Sequence, residues 1–524
     1  MPSLWPSFAS ILVVVPSCYA NQGLTNCSAT QLQHPVVFGA QITSVTATQV
    51  HAYSTSSTQN GAVPAANYTN LNFCNITVTY THPGYNDIIH INVWLPSEWN
   101  GRFQGTGGGG WITGHTDQGL APAIAQGYAA ASTDGGHTEL GDGMPETWAL
   151  VSPGNVNHNL LQDFASVALN DMTVIGKAIT TSYYGCAPTY SYWNGCSTGG
   201  RQGLMLAQRY PDAYDGILAL APAINWAQFI VAEYWPQQVM NRLGYHPLSC
   251  ELDAITAAAI DACDELDGVK DGVISLPGEC HFDALTIVGQ TFNCHGTGMI
   301  HSPQAAQIAN AAWTGPHNSS LYSWYGLNRG SSLTTGLANT TCSNNTAAAS
   351  CIGNPFAIAS QWIKLFLAKD ENFDVTGMSY DDYTNLFHQS VQEYQSIIGT
   401  ADPDLSRFRH HGGKIITWHG LADRLIFPNG TVQYYERVLD LDAHAADFYR
   451  FFEAPGTDHC RAGVGPYPND TLAALVEWVE HKQAPETLTA VSANTGAVRT
   501  LCLYPATQRY TGGDPSRPGS FTCE

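Results

Sequence analysis

Positive charge is scarce in this sequence. Its 524 residues include 20 Lys and Arg against 42 Asp and Glu, which gives a formal net charge of −22 at pH 7. No Lys or Arg precedes Arg102. Phosphates would be repelled by such a chain, and anionic lipid would find no basic face on it. We therefore exclude nucleic acid, anionic membrane surfaces and polyanionic polymers as partners.

Long hydrophobic runs are equally rare. The one apolar run at the start, Ile11 to Val15, is followed by small residues, and this pattern predicts a secretory signal over residues 1–20 that is cleaved after Ala20. An apolar N-terminal strand is the alternative interpretation. No later stretch is apolar for long enough to span a bilayer. We expect a secreted, extracellular protein.

Cysteine is plentiful for an exported chain. Fourteen are present, which predicts disulfide bonds, and loss of Cys18 with the signal leaves an odd number. One thiol would then be free or paired with another chain. Glycosylation sequons, which agree with export, start at Asn67, Asn75, Asn318, Asn339, Asn344, Asn429 and Asn469.

The order of apolar segments predicts an α/β fold. Strand-like runs alternate with helical spacing up to about Asn225, and the alternation resumes after about Gln395, with "KIITWHGLAD" at residues 414–423. Between them lie helices and a low-complexity stretch. We interpret 226–395 as an inserted lid domain and 21–225 with 396–524 as one catalytic domain. A separate second domain in series is the alternative, but the returning sheet pattern argues against it.

The segment "YWNGCSTGGRQG" contains a candidate nucleophile. "GCSTG" fits G-x-S-x-G, in which a strained turn between strand and helix lifts the Ser hydroxyl clear of the sheet. An apolar run precedes Ser197 and a helical pattern follows it, as the motif requires. An ordinary Gly-rich turn is the alternative.

A base and an acid for this serine follow in the order typical of sheet hydrolases. Asp423 and His459 each come after a strand-like run, where loops leave strand ends. Asp458 is a second candidate acid, but the side chains of adjacent residues diverge, so it is poorly placed to support the ring of His459.

A cysteine precedes Ser197 and another follows His459. If Cys196 bonds to Cys460, their Cα atoms lie about 5.5–6 Å apart, and Ser197 and His459 are each one peptide further along, about 3.8 Å. Such a bond would hold the base beside the nucleophile. A disulfide that only stabilises the fold is the alternative.

Together these segments resemble the fungal tannase and feruloyl esterase family. The resemblance covers nearly the whole mature chain through "GTGGGG", "YAAASTDGGH", "YWNGCSTGGRQG", "DGILALAPA", "CDELDGVKDGVI", "WHGLAD" and "HCRAGVGP". It implies an α/β-hydrolase core with a lid, and a catalytic triad of Ser197, Asp423 and His459 with the Cys196–Cys460 bridge beside it. For the oxyanion of an ester we expect the amide of Thr198 and one amide of the Gly107–Gly110 run, which we place at Gly109.

The segment "CDELDGVKDGVI" clusters carboxylates that suit Ca²⁺. The candidate ligands are side-chain oxygens of Asp264, Asp267 and Asp271 and the carbonyls of Val269 and Val273. The spacing departs from an EF-hand, and a solvated acidic turn is the alternative. The resemblance implies a structural calcium site here, in the lid.

Spacing and the resemblance also suggest the remaining disulfides. The expected pairs are Cys27–Cys74, Cys250–Cys294, Cys263–Cys280, Cys342–Cys351 and Cys502–Cys523. Cys186 is then left unpaired.

The function predicted from all this is that of a secreted serine carboxylesterase. The first choice is a B-type feruloyl esterase that releases hydroxycinnamic acids from plant cell-wall polysaccharide, and the second is a tannase acting on gallate esters. A calcium-stabilised binding protein without turnover is the alternative of another class. The acyl pocket is expected under the lid, and its candidate lining residues, which could equally be lid core, are Trp226, Tyr234, Trp235 and Trp362.

Overall fold

The structure is a computed structural model that describes residues 26–57, 62–63, 66–138, 143–318, 322–343 and 348–524. The predicted signal segment and Cys18 lie outside these ranges.

One mixed sheet of nine strands organises the chain. Its order is β1-β2-β3-β5-β4-β6-β7-β8-β9. Pairing is antiparallel from β1 to β3 and between β3 and β5, and parallel from β5 onward to β9. The strands are β1 (Gln41–Ser57), β2 (Ala66–Thr81), β3 (Ile89–Pro96), β4 (Arg102–Thr106), β5 (Ala129–Thr133), β6 (Tyr190–Cys196), β7 (Gly216–Leu220), β8 (Lys414–Gly420) and β9 (Tyr449–Ala454).

Thirteen α-helices occur in the described part of the chain. They are α1 (Asp117–Ala125), α2 (His158–Ala165), α3 (Val167–Tyr184), α4 (Thr198–Arg209), α5 (Trp226–Ala232), α6 (Trp235–Leu243), α7 (Ser249–Cys263), α8 (Pro303–Thr314), α9 (Ala357–Gln361), α10 (Tyr380–Ile398), α11 (Ser406–His411), α12 (Pro428–Leu441) and α13 (Thr471–His481). None of these helices is long and apolar enough to cross a membrane.

The central strands are apolar on both faces because helices cover both faces. Successive residues of a strand point to opposite sides. On β8, Ile415 therefore belongs to the apolar cluster that includes residues of α3 and α12 on one face, and Ile416 belongs to the cluster that includes residues of α1 and α13 on the other. This arrangement confirms the predicted α/β fold and brings the carboxyl ends of the parallel strands to one edge of the sheet.

The described residues between β7 and β8 contribute no strand to the nine-stranded sheet. Their helices build a core of their own, in which Trp226, Trp362 and Phe366 pack around Trp111 of the Gly-rich loop. Short two-stranded ribbons complete it, at Thr291–Cys294 with Thr297–Ile300 and at Thr340–Cys342 with Cys351–Gly353.

The structure contains all six predicted disulfides. These are Cys27–Cys74, Cys196–Cys460, Cys250–Cys294, Cys263–Cys280, Cys342–Cys351 and Cys502–Cys523. The prediction that Cys186 is unpaired is wrong, because this cysteine is also disulfide-bonded. That prediction depended on removing Cys18 from the count, and Cys18 is outside the described residues.

A buried ionic cluster lies where the loop between β2 and β3 meets α2 and α3. His82 Nδ1 is 2.5 Å from Asp87 Oδ2, and His82 Nε2 is 3.0 Å from Asp171 Oδ2. Asp163 Oδ1 is 3.8 Å from His82 Nδ1, and neither carboxyl oxygen of Asp163 has a hydrogen-bond partner among the described residues. Burial raises the pKa of Asp163 to about 8. The hydrogen bond to Asp171, followed by that to Asp87, raises the pKa of His82 to about 9.

Candidate active site

Ser197 lies on a strained turn between β6 and α4. Its backbone has φ 64° and ψ −123°, a conformation that costs energy in a residue with a Cβ. The turn is tight because its flanking residues are small: a Cβ on Gly195 would lie 2.3 Å from the carbonyl oxygen of Gly199. The Ser197 amide donates to the carbonyl of Leu220, which fixes the turn against the end of β7. This is the geometry that G-x-S-x-G predicts.

The Gly-rich loop after β4 packs against this turn. Gly199 donates its amide to the Gly108 carbonyl at 3.1 Å, and the Thr198 hydroxyl donates to the Gly110 carbonyl at 2.7 Å. The amides of Gly107 and Gly108 are already used, by the Asn194 carbonyl and the Gln202 side chain. Among the described residues, no acceptor is assigned to the amides of Thr198, Gly109 or Gly110. Both predicted oxyanion donors, Thr198 and Gly109, are therefore available.

His459 lies on the loop after β9, and a disulfide joins this loop to the nucleophile turn. The Cα atoms of Cys196 and Cys460 are 6.0 Å apart. Ser197 and His459 line the same cavity. The bond thus connects the residue before the nucleophile to the residue after the candidate base.

Asp423 follows β8 and holds the ring of His459. Its Oδ2 lies 2.7 Å from His459 Nδ1, and its Oδ1 accepts the backbone amides of Leu425 at 2.8 Å and Ile426 at 3.0 Å. The carboxyl group has no exposed surface. Because a carboxylate at Nδ1 keeps the proton on that nitrogen, Nε2 is left as the basic atom.

The electrostatics of this pair lower the pKa of the acid and raise the pKa of the base. Burial opposes the charge on Asp423, but the imidazole of His459 and the hydrogen bonds from His419 and His459 lower the pKa of Asp423 well below its usual range. Burial also opposes protonation of His459, yet the Asp423 carboxylate raises the pKa of His459 above its ordinary value. The site can therefore stabilise an imidazolium formed during a reaction.

Asp458, the second candidate acid, does not support the His459 ring. Its side chain contacts the guanidinium of Arg424, and its Oδ1 accepts the His459 backbone amide at 2.7 Å. The carboxylate shapes the loop and leaves Nδ1 to Asp423.

His419 is a site residue that the sequence analysis missed. It is fully buried on β8, where its Nε2 lies 3.1 Å from Asp423 Oδ2 and its Nδ1 lies 2.9 Å from the Thr431 hydroxyl. The segment "WHGLAD" could have indicated this contact, because a histidine at the end of a strand, four residues before the acid, can reach the acid's side chain.

Ser197 and His459 face two connected spaces. The outer one is a cavity of about 500 Å³, with Asn194, His115, Arg424 and Arg461 among its lining residues. The inner recess is narrow, about 20 Å³, and mostly apolar. Besides Ser197, Thr198, His459 and Gly110, the inner recess is lined by Ala223, Trp226, Phe229, Ile230, Glu233, Phe356, Ile358, Leu425 and Ile426.

Of the four aromatic residues predicted to line the acyl pocket, only Trp226 lies on the inner recess. Tyr234 donates its hydroxyl to the Val375 carbonyl, and Trp362 is buried against Phe366. Trp235 packs on Tyr383. These three belong to the core of the inserted segment, which was the alternative reading of them.

The candidate calcium ligands lie on one loop after α7. Asp264 and Asp267 are buried, and Asp264 accepts the amides of Asp271, Gly272 and Val273. One Asp271 oxygen is 2.7 Å from Arg499, and Asp267 Oδ2 has no hydrogen-bond partner within the described chain. Hard oxygen donors, one of them a buried oxygen without a partner, are the ligand chemistry that calcium prefers. The loop also contacts the His459 loop, since a Cβ on Gly456 would lie 2.7 Å from the Val273 side chain.

Comparison with known proteins agrees with this geometry. Residues 74–524 match the family described as "Tannase and feruloyl esterase". A probable feruloyl esterase of Arthroderma benhamiae is 41% identical over 99% of this chain and 97% of its own length.

Solved structures of tannase and feruloyl esterase B share this fold. The tannin acyl hydrolase of Aspergillus niger has a TM-score of 0.85 at 29% identity, covering 95% of both chains. Feruloyl esterase B of Aspergillus oryzae has a TM-score of 0.76 at 27% identity, covering 93% of this chain and 97% of its own. These relatives are carboxylic ester hydrolases, and so is this protein. The chain belongs to the tannase and feruloyl esterase family.

Proposed function

We propose that this protein is a secreted serine esterase that hydrolyses feruloyl and related hydroxycinnamoyl esters of plant cell-wall polysaccharides. One observation carries the proposal: the Cys196–Cys460 bond joins the strained Ser197 turn to the loop on which His459 meets Asp423.

The reaction proceeds through an acyl-enzyme. Ser197 Oγ attacks the ester carbonyl while His459 Nε2 accepts the hydroxyl proton, and the resulting oxyanion accepts hydrogen bonds from the amides of Thr198 and Gly109. The carbonyl re-forms as the alcohol leaves with the proton from His459. Water, deprotonated by the same ring, then attacks the acyl carbonyl and releases the acid and the Ser197 hydroxyl. Asp423 orients the ring and stabilises its charge in both halves.

The two spaces suggest where the halves of the substrate lie. The inner recess presents the apolar surface that an aromatic acyl group needs, and the outer cavity presents the polar side chains that suit a sugar alcohol. The recess is smaller than an aromatic ring, so its side chains must shift on binding. Besides Ser197 and His459, the side chains of Phe356, Ile358 and Leu425 border both spaces.

The nucleophile is tested with a fluorophosphonate probe and the variant Ser197→Ala. The probe should label Ser197, and the variant should lose label and turnover while it keeps the wild-type circular dichroism. Ser191→Ala, at a buried serine on β6, the strand that leads to the Ser197 turn, is the matched control and should keep both. Full turnover by Ser197→Ala would exclude this mechanism, and a wild-type chain that neither reacts nor hydrolyses esters would support the binding-protein alternative.

Hydrolysis of galloyl esters is the second candidate function. It is favoured by the higher TM-score of the tannin acyl hydrolase and by the small inner recess, because a galloyl group lacks the propenoyl spacer of a feruloyl group. Parallel assays on methyl ferulate, methyl caffeate and methyl gallate decide between the two by the ratio of kcat/KM.

We also propose that the loop of Asp264, Asp267, Val269, Asp271 and Val273 holds a structural calcium ion. The unsatisfied Asp267 oxygen supports this, and the ion would stabilise the loop without contact with the substrate.

A further inference from the structure

The inner recess beside Ser197 contains a carboxyl group that the triad does not use. Glu233 directly follows α5 and its side chain is 1% exposed. Its Oε2 has no hydrogen-bond partner, and no cation contacts it, among the described residues. A buried polar group left in this state typically costs about 1–3 kcal/mol, and a ligand that hydrogen-bonds to it would recover that cost.

The surroundings of Glu233 define what it can bind. Trp226, Phe229 and Ile230 line the same recess and offer flat apolar contact but no charge. Apart from Ser197 and His459, the other polar side chain that lines the recess is that of Thr198, and its hydroxyl already donates to the Gly110 carbonyl. Glu233 is therefore the free polar group available to an aromatic acyl group held in this recess.

The chemical state of Glu233 favours a neutral partner. Burial, with a smaller contribution from the negative charge of Asp423, raises the pKa of Glu233 well above its usual range. A protonated carboxyl can donate one hydrogen bond and accept others. A phenolic hydroxyl does the same, whereas an ammonium group would require an ionised carboxylate and would have to lose its hydration in an apolar recess.

We propose that Glu233 is the receptor for a ring hydroxyl of the substrate's aromatic acyl group. The inference rests on the proposed esterase function and deepens it, because it selects hydroxylated aryl acyl esters from aromatic esters in general. Hydroxycinnamoyl and galloyl esters both carry such a hydroxyl.

The test compares ester pairs that differ only in ring hydroxyls. Methyl ferulate is paired with methyl 3-methoxycinnamate, and methyl gallate with methyl benzoate, so that no member adds bulk. Wild-type protein should prefer the hydroxylated ester of at least one pair by about 10- to 100-fold in kcat/KM. The pair with the larger preference identifies the acyl class.

Variants then assign that preference to the carboxyl group. Glu233→Leu should remove the preference, and Glu233→Gln should retain a large part of it because an amide also donates and accepts. Glu233→Met is a second apolar variant if packing prevents Glu233→Leu from folding. The matched control is Glu453→Leu, a largely buried acid on β9 outside both spaces, which should keep the wild-type ratio.

The outcomes separate this inference from the proposed function. Equal wild-type rates on both members of each pair, or an undiminished preference in folded Glu233→Leu, would overturn the role of Glu233 while Ser197 still reacts with the fluorophosphonate. Loss of that labelling in the wild type would overturn the esterase mechanism itself.

Discussion

Replacing both Cys196 and Cys460 by alanine should separate the contribution of their bond to stability from its contribution to catalysis. The two cysteines are 264 residues apart in sequence, and the Cys250–Cys294 and Cys342–Cys351 bonds shorten the effective loop. Chain entropy for a loop of roughly 200 residues then gives a loss of about 5 kcal/mol in the free energy of unfolding, as an upper figure.

The effect on catalysis should be larger than stability alone explains. His459 retains its bond to Asp423 in the variant, so the base is still present but is no longer tied to the Ser197 turn. A displacement of about 1 Å between reacting groups can cost on the order of 100-fold in rate. We expect kcat to fall by about that factor while KM changes little.

A variant that lacks Cys27 and Cys74 is the matched control. Its bond spans 47 residues and joins β2 to the segment before β1, far along the sheet from the triad. Its loss should lower the free energy of unfolding by about 4 kcal/mol and leave kcat near the wild-type value. Both variants are assayed on one phenolic ester at a temperature where circular dichroism shows them folded. A kcat within about twofold of wild type in the Cys196 and Cys460 variant would refute the positioning role of the bond.

Three further predictions concern groups around the site. His419→Leu removes one hydrogen-bond donor to Asp423 Oδ2 and should lower kcat about 10-fold with little change in KM. Thr431→Val, which removes only the partner of His419 Nδ1, should lower kcat less, and unchanged kcat in both variants would show that His419 has no positioning role. The pKa of His82 is about 9, above its ordinary 6.5, so its proton stabilises the fold below pH 6.5 and this contribution is lost between pH 6.5 and 9. The pKa of Asp163 is about 8, above its ordinary 3.8, so ionisation of this carboxyl in the unfolded chain lowers stability between pH 3.8 and 8. The urea midpoint of the wild type should therefore fall between pH 6.5 and 8, and fall less steeply in Asp163→Asn; parallel profiles over that range would contradict this. Removal of calcium by a chelator should lower the Tm of the wild type by several degrees, and added Ca²⁺ should restore it. Asp267→Asn should abolish this response, whereas Asp261→Asn, at an exposed carboxylate paired with Lys270, should keep it. If chelator leaves the Tm of the wild type and of both variants unchanged, the calcium site is excluded.

The sequence predicted those parts of the site whose signals are local. Ser197 and Cys196 are adjacent, as are His459 and Cys460, and each pair follows a strand-like run, so residue order alone placed them at one edge of a parallel sheet. Asp423 was predictable for the same reason.

Residues whose roles depend on distant packing could not be read in this way. The carboxyl group of Glu233 lacks a partner because the fold buries it in the recess that Ser197 also lines, and the local sequence "VAEYWP" does not predict that burial. Three of the four predicted pocket aromatics were misplaced because an aromatic residue in the segment between β7 and β8 has the same sequence pattern whether it faces a cavity or the core. The prediction for Cys186 was wrong because sequence alone does not determine which cysteines pair.

The long sequence separation of Cys196 and Cys460 also has a consequence for biosynthesis. During translation Ser197 emerges well before His459, and apart from the chain itself no covalent bond connects the two segments until Cys196 and Cys460 have been oxidised. If the bond positions His459, a newly made chain in a reducing compartment is inactive. It becomes able to hydrolyse esters only when the two thiols are oxidised to the disulfide.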